Sequence, residues 1–247
     1  MDRLLFVAAS GLRQIAQAQE VNANNLANAS TVGFQADLAQ ARALYLNGPY
    51  YPDRVFSATE SPAVDFSKGG IRQTGRDLDV AVRGQGWIAV QAPDGSEAYT
   101  RRGDLRISPE GLLETGNGLP VLGDGGPIII PPHQKLDIGN DGTVSVQPLG
   151  QQAAGLAVIG RIKLVSPRPE DLVKGSDGLL RRRDGLPAEP SAEVSLVSGA
   201  LESSNVSLVE SLTEMIALSR RFEAQVKLLD AAKRNDEASS RLMNIQG

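Results

Sequence analysis

Cysteine is absent from the 247 residues. No disulfide staples this fold, and no thiolate is available as nucleophile or metal ligand. One histidine, His133, is too few for a zinc site built from Cys and His. Its setting, Pro131-Pro132-His133-Gln134-Lys135, reads as a solvated proline-rich loop. Aromatic residues make up 4% of the chain, with a single Trp87 and four tyrosines, few for a glycan-binding cleft. No run approaches the roughly 18 to 20 consecutive apolar residues of a membrane helix, so direct membrane insertion is not expected. Met1-Asp2-Arg3 leads into an interrupted apolar pattern with no cleavage site, so no cleaved Sec-type signal peptide is expected either. The net charge of −4 argues against a nucleic-acid partner held by bulk electrostatics.

What the chain does have is a sevenfold pattern at each end and most of its 26 glycines in between. Residues 2–27 read as an amphipathic helix. Met1, Leu5, Ala8, Leu12, Ile15, Gln19, Asn22 and Leu26 alternate in steps of four and three, a heptad seam. Ala9, Ala16 and Ala23 repeat on one flank and Leu4, Gly11 and Ala18 on the other, small residues that let neighbouring helices come close. Such a helix is about 40 Å long. With so thin a seam it is marginal alone in water and needs a partner. It closes on Asn24-Asn25-Leu26-Ala27-Asn28, where Asn24 and Asn28 share one face. Short amides near a helix end act as capping groups or as donors and acceptors aimed at a neighbour. Ser30-Thr31-Val32-Gly33 then supplies turn chemistry, with Gly33 free to take positive φ.

Residues 35–73 show no clear period and read as an extended arm, punctuated by Asn47-Gly48-Pro49, Tyr51-Pro52-Asp53 and Lys68-Gly69-Gly70. Residues 74–198 read as β-rich. Asp79–Val82, Trp87–Val90, Tyr99–Arg101, Leu105–Ile107, Ile128–Ile130, Thr143–Val146, Gly160–Val165 and Gly178–Arg181 are short strands, with Gly- and Asp-containing turns between them. That spacing suggests an antiparallel sandwich or barrel. Residues 205–243 carry a second helical pattern. Leu208, Leu212, Met215, Ser219, Phe222, Val226, Leu229, Lys233, Asp236, Ser240 and Met243 again alternate four and three. Ser207-x-x-Glu210 offers a capping box, and three acid-to-base pairs at i, i+4 from Glu223 to Arg241 mark an exposed stripe. Val209 and Ile216 widen the apolar face beyond a two-helix seam, which points to more than one partner helix. The expected fold is therefore α+β. Terminal heptad helices (1–30 and 203–247) form a coiled-coil assembly domain, 31–73 an arm, and 74–200 a central antiparallel β-rich domain.

No catalytic, cofactor or metal constellation emerges. Gly84-Gln85-Gly86 precedes a strand rather than a helix and lacks a third glycine, so it reads as a hairpin turn. Asp137–Gly142 resembles a calcium loop only superficially, with Gly139 at its third position and Pro148 where the bidentate Glu belongs. Asp77 and Asp79 fit ion pairs with Arg76 or Arg83. Arg101-Arg102 and Arg181-Arg182-Arg183 read as solvated strand ends.

Several motifs, in order, resemble the rod and hook axial proteins of the bacterial flagellum. They are Asn24-Asn25-Leu26-Ala27-Asn28 with Thr31 and Gly33-Phe34, the stretch from Thr74 to Trp87, Tyr99-Thr100-Arg101-Arg102-Gly103 and Gly111-Leu112-Leu113. Gly199-Ala200-Leu201-Glu202-Ser203-Ser204-Asn205-Val206 follows, with Glu210, Arg221-Phe222-Glu223 and Lys227 in register. Phe222 stands where many members carry Tyr. The Met1-Asp2-Arg3 start and the Lys233-Arg234-Asn235-Asp236-Glu237-Ala238 ending resemble the family's proximal-rod branch, with the distal-rod branch as the competitor. The resemblance implies a non-enzymatic rod subunit without cofactor. It implies transmission of torque across the periplasm, and export uncleaved through the flagellar type III apparatus. Its implied partners are proximal and distal rod subunits. The residues expected at its assembly interface are Leu5, Leu12, Ile15, Asn24, Asn25, Leu26, Asn28, Gly33 and Phe34 near the start, and Leu201, Asn205, Leu208, Leu212, Met215, Phe222, Val226 and Leu229 near the end. The reading from another class is a periplasmic β-rich binding module or enzyme with coiled-coil oligomerisation helices.

Overall fold

The computed structural model describes the backbone of residues 2–39, 41–47, 52–59, 63–149 and 156–244, and side chains of 8–39, 63–149 and 156–235. Met1, the turn residues Gly48, Pro49 and Tyr51, and the side chains of Leu4, Leu5, Asp236, Ser240 and Met243 lie outside the described residues. The chain divides into two compact units. The first comprises 1–29, 36–65 and 206–247; the second comprises 30–35 and 66–205.

In the first unit, helix α1 runs Asp2–Ala27 and helix α2 runs Leu208–Asn244, and the two pack together. α1 ends where Asn28 donates both its backbone N–H (3.1 Å) and its Nδ2–H (3.0 Å) to the Asn24 carbonyl. Those bonds satisfy a carbonyl of the helix's last turn. α2 begins at its N-cap, Ser207, whose Oγ accepts the Glu210 N–H at 3.4 Å and whose carbonyl accepts the Ser211 N–H at 2.9 Å. The helix thus starts at Leu208 rather than at 205. Between the helices the aperiodic stretch forms strands. Asp37–Leu38 pairs with Ala63–Val64, and Ala41–Asn47 pairs with Pro52–Thr59, both antiparallel. Ala43-Leu44-Tyr45-Leu46 is a continuous apolar run, so a period-two search passes over it.

In the second unit every described ladder is antiparallel, and the strands are short. Trp87–Gln91 and Glu97–Thr100 centre a five-stranded sheet completed by Leu164–Val165, Leu180–Arg182 and Leu172–Lys174. His133–Ile138, Thr143–Pro148 and Ala157–Arg161 form a three-stranded sheet. Val80–Arg83 pairs with Ser195–Ser198, and Ile71–Gln73 with Ala200–Glu202. Alternation fills the core. Leu136, Ile138, Val144 and Val146 point inward while Asp137 is exposed and Ser145 half-exposed, and they join Val80, Val82, Ile88, Val90, Leu105, Leu113 and Ile162.

Three local expectations need correction. Gly84-Gln85-Gly86 is not a hairpin turn, because the strands on either side belong to different sheets. Ile128–Ile130 is not a strand. Ile128 and Ile130 are buried and Ile129 is exposed; the segment is held by an isolated bridge to Leu112 and by the Ile128 N–H to the Val121 carbonyl at 3.2 Å. His133 opens a strand half-buried, with its Nδ1 3.0 Å from the Pro131 carbonyl, rather than lying in a solvated loop.

Tyr99 is the largest fully buried side chain of the second unit. Its hydroxyl donates to Glu97 Oε1 at 3.1 Å and accepts the Ala188 N–H at 2.8 Å. Burial pushes its pKa up to about 12 from 10.0, against the pull of the Ala188 bond. A phenol that ionises later when folded contributes stability that is complete below pH 10 and is lost as the pH climbs toward 12. The expected slope in that window is about 1.4 kcal/mol per pH unit. The tyrosinate difference spectrum of wild type minus Tyr99→Phe should have its midpoint near 12, and a midpoint near 10 would contradict the burial account.

Candidate assembly interface

The heptad seam of α1 is its inward side. Ala8 is buried and Leu12, Ile15, Gln19, Asn22 and Leu26 are half-buried, while Ala9, Ala16 and Ala23, one position on, are exposed. α2 does not turn its most apolar side inward. Among the described residues its buried ones are Ser211 and Leu218, and Gln225 and Ala232 continue that row half-buried at steps of seven. Leu212 and Val226 lie roughly 100° round the helix from that row, and Leu208, Met215 and Phe222 roughly 40–60°. They keep between 36% and 54% of their surface exposed, and Val209 and Ile216 beside them keep 72% and 53%. Leu229, at the end of the same pattern, is half-buried. The pairing residues Ser211, Leu218 and Gln225 were not read from the sequence. Their sevenfold spacing was the only signal, and two of the three are polar.

The asparagines near the end of α1 divide the roles between them. Asn28 caps the helix, as described above. Asn25 is aimed at its neighbour: its Nδ2–H donates to the Asp37 carbonyl at 2.7 Å, and its Oδ1 accepts the Asp37 N–H at 2.8 Å. One side-chain amide thus pairs a strand residue as another strand would. Asn24 is exposed, and its contribution is its carbonyl.

Within the second unit, residues 30–35 lie against 200–205. Gly33 takes φ +65° and donates its N–H to the Glu202 carbonyl at 2.8 Å; the Asn205 N–H meets the Phe34 carbonyl at 3.3 Å. Asn205 also donates Nδ2–H to the Ser67 carbonyl at 3.1 Å. The Lys174 ammonium sits 4.2 Å over the Phe34 ring. Gln35 accepts the Trp87 indole N–H at 3.0 Å, and Trp87 meets Phe66 edge to face. Leu201 is buried on the strand paired with Ile71–Gln73.

Beneath these contacts is an ion pair whose arginine reads from the sequence as a solvated strand end. Arg101 is 3% and Glu202 2% exposed. Arg101 Nε–H donates to Glu202 Oε2 at 2.8 Å, and its remaining N–H groups reach the carbonyls of Val82, Gly84 and Gly86 at 3.0–3.4 Å. Glu202 Oε1 accepts the Gly69 N–H at 3.1 Å. The Gly84–Gly86 loop is therefore a carbonyl cradle for a guanidinium. The other charged motifs are local. Arg76 pairs Asp79 at 3.4 Å, as expected; Arg102 pairs Asp104, and Arg181 pairs Asp177. Asp141 is turned onto Thr143, whose hydroxyl and backbone N–H hold its carboxyl below the usual range. Among the described residues, no group of acidic, His or Cys side chains is arranged to hold a metal ion.

Three family models match along the chain: "Flagella basal body rod protein" over residues 5–35, "Flagellar hook protein FlgE/F/G D1 domain" over 81–146, and "Flagellar basal body rod FlgEFG protein C-terminal" over 197–242. The flagellar basal-body rod protein FlgF of Salmonella typhimurium is 39% identical, covering 99% of this chain and all of that one. The chain belongs to the flagellar basal-body rod FlgE/F/G family. FlgF of Escherichia coli is likewise 39% identical, again over 99% of this chain and all of that one. FlgG of Bacillus subtilis is 31% identical over the full length of both. As a member of the rod family the chain is a structural, non-enzymatic subunit of the flagellar basal-body rod, which assembles with other rod subunits. The N-terminal model takes in most of α1, the asparagines and Gly33; the C-terminal model takes in Leu201 to Asn205 and nearly all of α2. No helix among the described residues is long and apolar enough to cross a membrane.

Proposed function

We propose that this chain is a proximal-rod subunit that polymerises through its terminal helices, residues 1–30 and 203–247. Residues 74–200 are then a β domain that folds independently of that contact. The observation that carries the reading is the row Leu208, Leu212, Met215, Phe222 and Val226, exposed although α2 has a partner helix. A contiguous wet strip of large apolar side chains marks an interaction surface, and neighbouring rod subunits are its natural cover. Likeness to full-length proteins named FlgF supports the proximal position. On this reading the subunit leaves the cell through the flagellar type III export apparatus without cleavage. Its neighbours are proximal and distal rod subunits, and the rod they form carries torque across the periplasm.

Leu212→Asp tests the interface. Leu212 contributes to neither the α1-facing row nor the β core, so the melting curve of the purified protein should stay within about 0.5 kcal/mol of wild type. In a rod the same change forfeits about 2 kcal/mol of apolar burial and leaves a carboxylate without a partner in a packed seam. Electron microscopy of purified basal bodies should show no distal rod, hook or filament. Normal rods would remove this stripe from the assembly interface.

A further inference from the structure

Two hydrogen bonds cross between α1 and α2 in opposite directions. Asn22 of α1 donates Nδ2–H to the Ser211 carbonyl of α2 at 2.8 Å, and Gln225 of α2 donates Nε2–H to the Ala8 carbonyl of α1 at 3.1 Å. Both acceptors are carbonyls inside a helix, which offer a second lone pair beyond the one their own helix uses. On each helix the two bonds are two heptads apart, from Ala8 to Asn22 and from Ser211 to Gln225. A single antiparallel register therefore satisfies both, and it sets Ile15 opposite Leu218 midway between them. The slip of one heptad that brings Ile15 opposite Ser211 breaks both, because it carries Asn22 past the start of α2 and Gln225 to the start of α1. The opposite slip puts Ala18 where Gly11 stands, and its Cβ takes the room the Gln225 amide needs.

Apolar contrast along this seam is too low to choose the register. Over the same span the inward row of α2 carries one large aliphatic side chain, Leu218, between Ser211 and Gln225. The bulk of the helix's apolar surface lies on the outward stripe. Gly11 supports the polar contact: a Cβ there would lie 2.9 Å from Gln225 Nε2, so glycine leaves the room the amide needs to reach Ala8. Polar side chains in a helix seam are a known means of setting register, because an alignment that leaves a half-buried amide without a partner is disfavoured.

We infer that Asn22 and Gln225, with Gly11 making room, are the register-setting residues of the helix pair. Their reciprocal bonds choose the alignment and hold Ser211, Leu218 and Gln225 against α1. They thereby keep the large apolar residues of α2 turned outward. That last consequence rests on the assembly reading above; the register itself does not.

The absence of native cysteine makes disulfide trapping unambiguous. Ile15→Cys with Leu218→Cys reports the observed register, and Ile15→Cys with Ser211→Cys reports a slip of one heptad while keeping the 211 carbonyl. Each pair is placed in the native background and in Asn22→Leu/Gln225→Leu, and the purified full chain is oxidised and cross-links are quantified by mass spectrometry. In the native background the 15–218 link should form more than about tenfold faster than 15–211, and in the leucine background the preference should fall to within about threefold. An unchanged preference would overturn the inference. Loss of both links in the leucine background would also overturn it, since the amides would then hold the pair together without selecting its alignment. The readout is taken on the free chain, so it stands apart from whether Leu212→Asp blocks rod formation.

Discussion

Glu202→Ala should lower the stability of the second unit by about 3 to 5 kcal/mol, the range for removing one partner of a buried ion pair. The cost is not the strength of one bond. Arg101 stays behind, 3% exposed, with its charge uncompensated and only the carbonyls of Val82, Gly84 and Gly86 to face. The Gly69 N–H loses its acceptor in the same change. At about 2 to 4 °C per kcal/mol for a unit of this size, the melting midpoint should fall by roughly 10 °C. The double change Arg101→Met/Glu202→Leu should cost well under the sum of the single changes, because it removes both charges together. A loss below 1 kcal/mol in Glu202→Ala would show that the carboxylate is solvated and that the pair contributes little.

Gly33→Ala should be nearly as damaging, for a reason of space rather than charge. At φ +65° an L-residue costs about 1 to 2 kcal/mol. A Cβ at this position would also lie 2.3 Å from the carbonyl carbon of Arg101. The backbone would have to withdraw, breaking the Gly33–Glu202 hydrogen bond. The total should reach about 3 kcal/mol or more. Gly70→Ala is the control: it lies on the neighbouring segment, a Cβ there meets nothing within 4 Å, and it should change stability by less than about 0.5 kcal/mol. Hydrogen exchange should show the amide at position 33 losing protection in the first variant only. Equal behaviour of the two glycine variants would contradict the steric account.

Both helices could be read from the sequence, the first to the residue and the second to within three residues at its start, because a sevenfold pattern over so many turns is hard to produce by chance. The cap at Ser207 and the need for Gly33 were legible from residue type alone. The side of α2 that meets α1 was not. Pattern reading follows the largest apolar residues, and here those face outward while Ser211 and Gln225 make the contact. The Arg101–Glu202 pair was hidden for a similar reason. An arginine beside a second arginine reads as surface charge, and its partner lies 101 positions away. The strands near 41–59 escaped because the continuous run at 43–46 masks alternation. The family resemblance pointed to the ends of the chain as the assembly interface, and the structure separates the residues there into those that pair the helices and those that remain exposed.

The interleaving of the two units has a consequence for the order in which the chain can fold. Asn22 and Ser211 are 189 positions apart, and Ala8 and Gln225 are 217. Closing a loop of that length from a random chain costs roughly 4 to 5 kcal/mol in entropy, more than a thin seam returns. Once the second unit has formed, Gly33 is already bonded to Glu202, and each helix begins or ends only a few residues from that bond. The loop has been shortened before the helices meet. The β unit is therefore expected to form before the helix pair, and α1, made first, can pair with α2 only after the last segment of the chain has been made. Any change that slows the closing of residues 30–35 onto 200–205 should delay helix pairing, even where no helical residue has been touched.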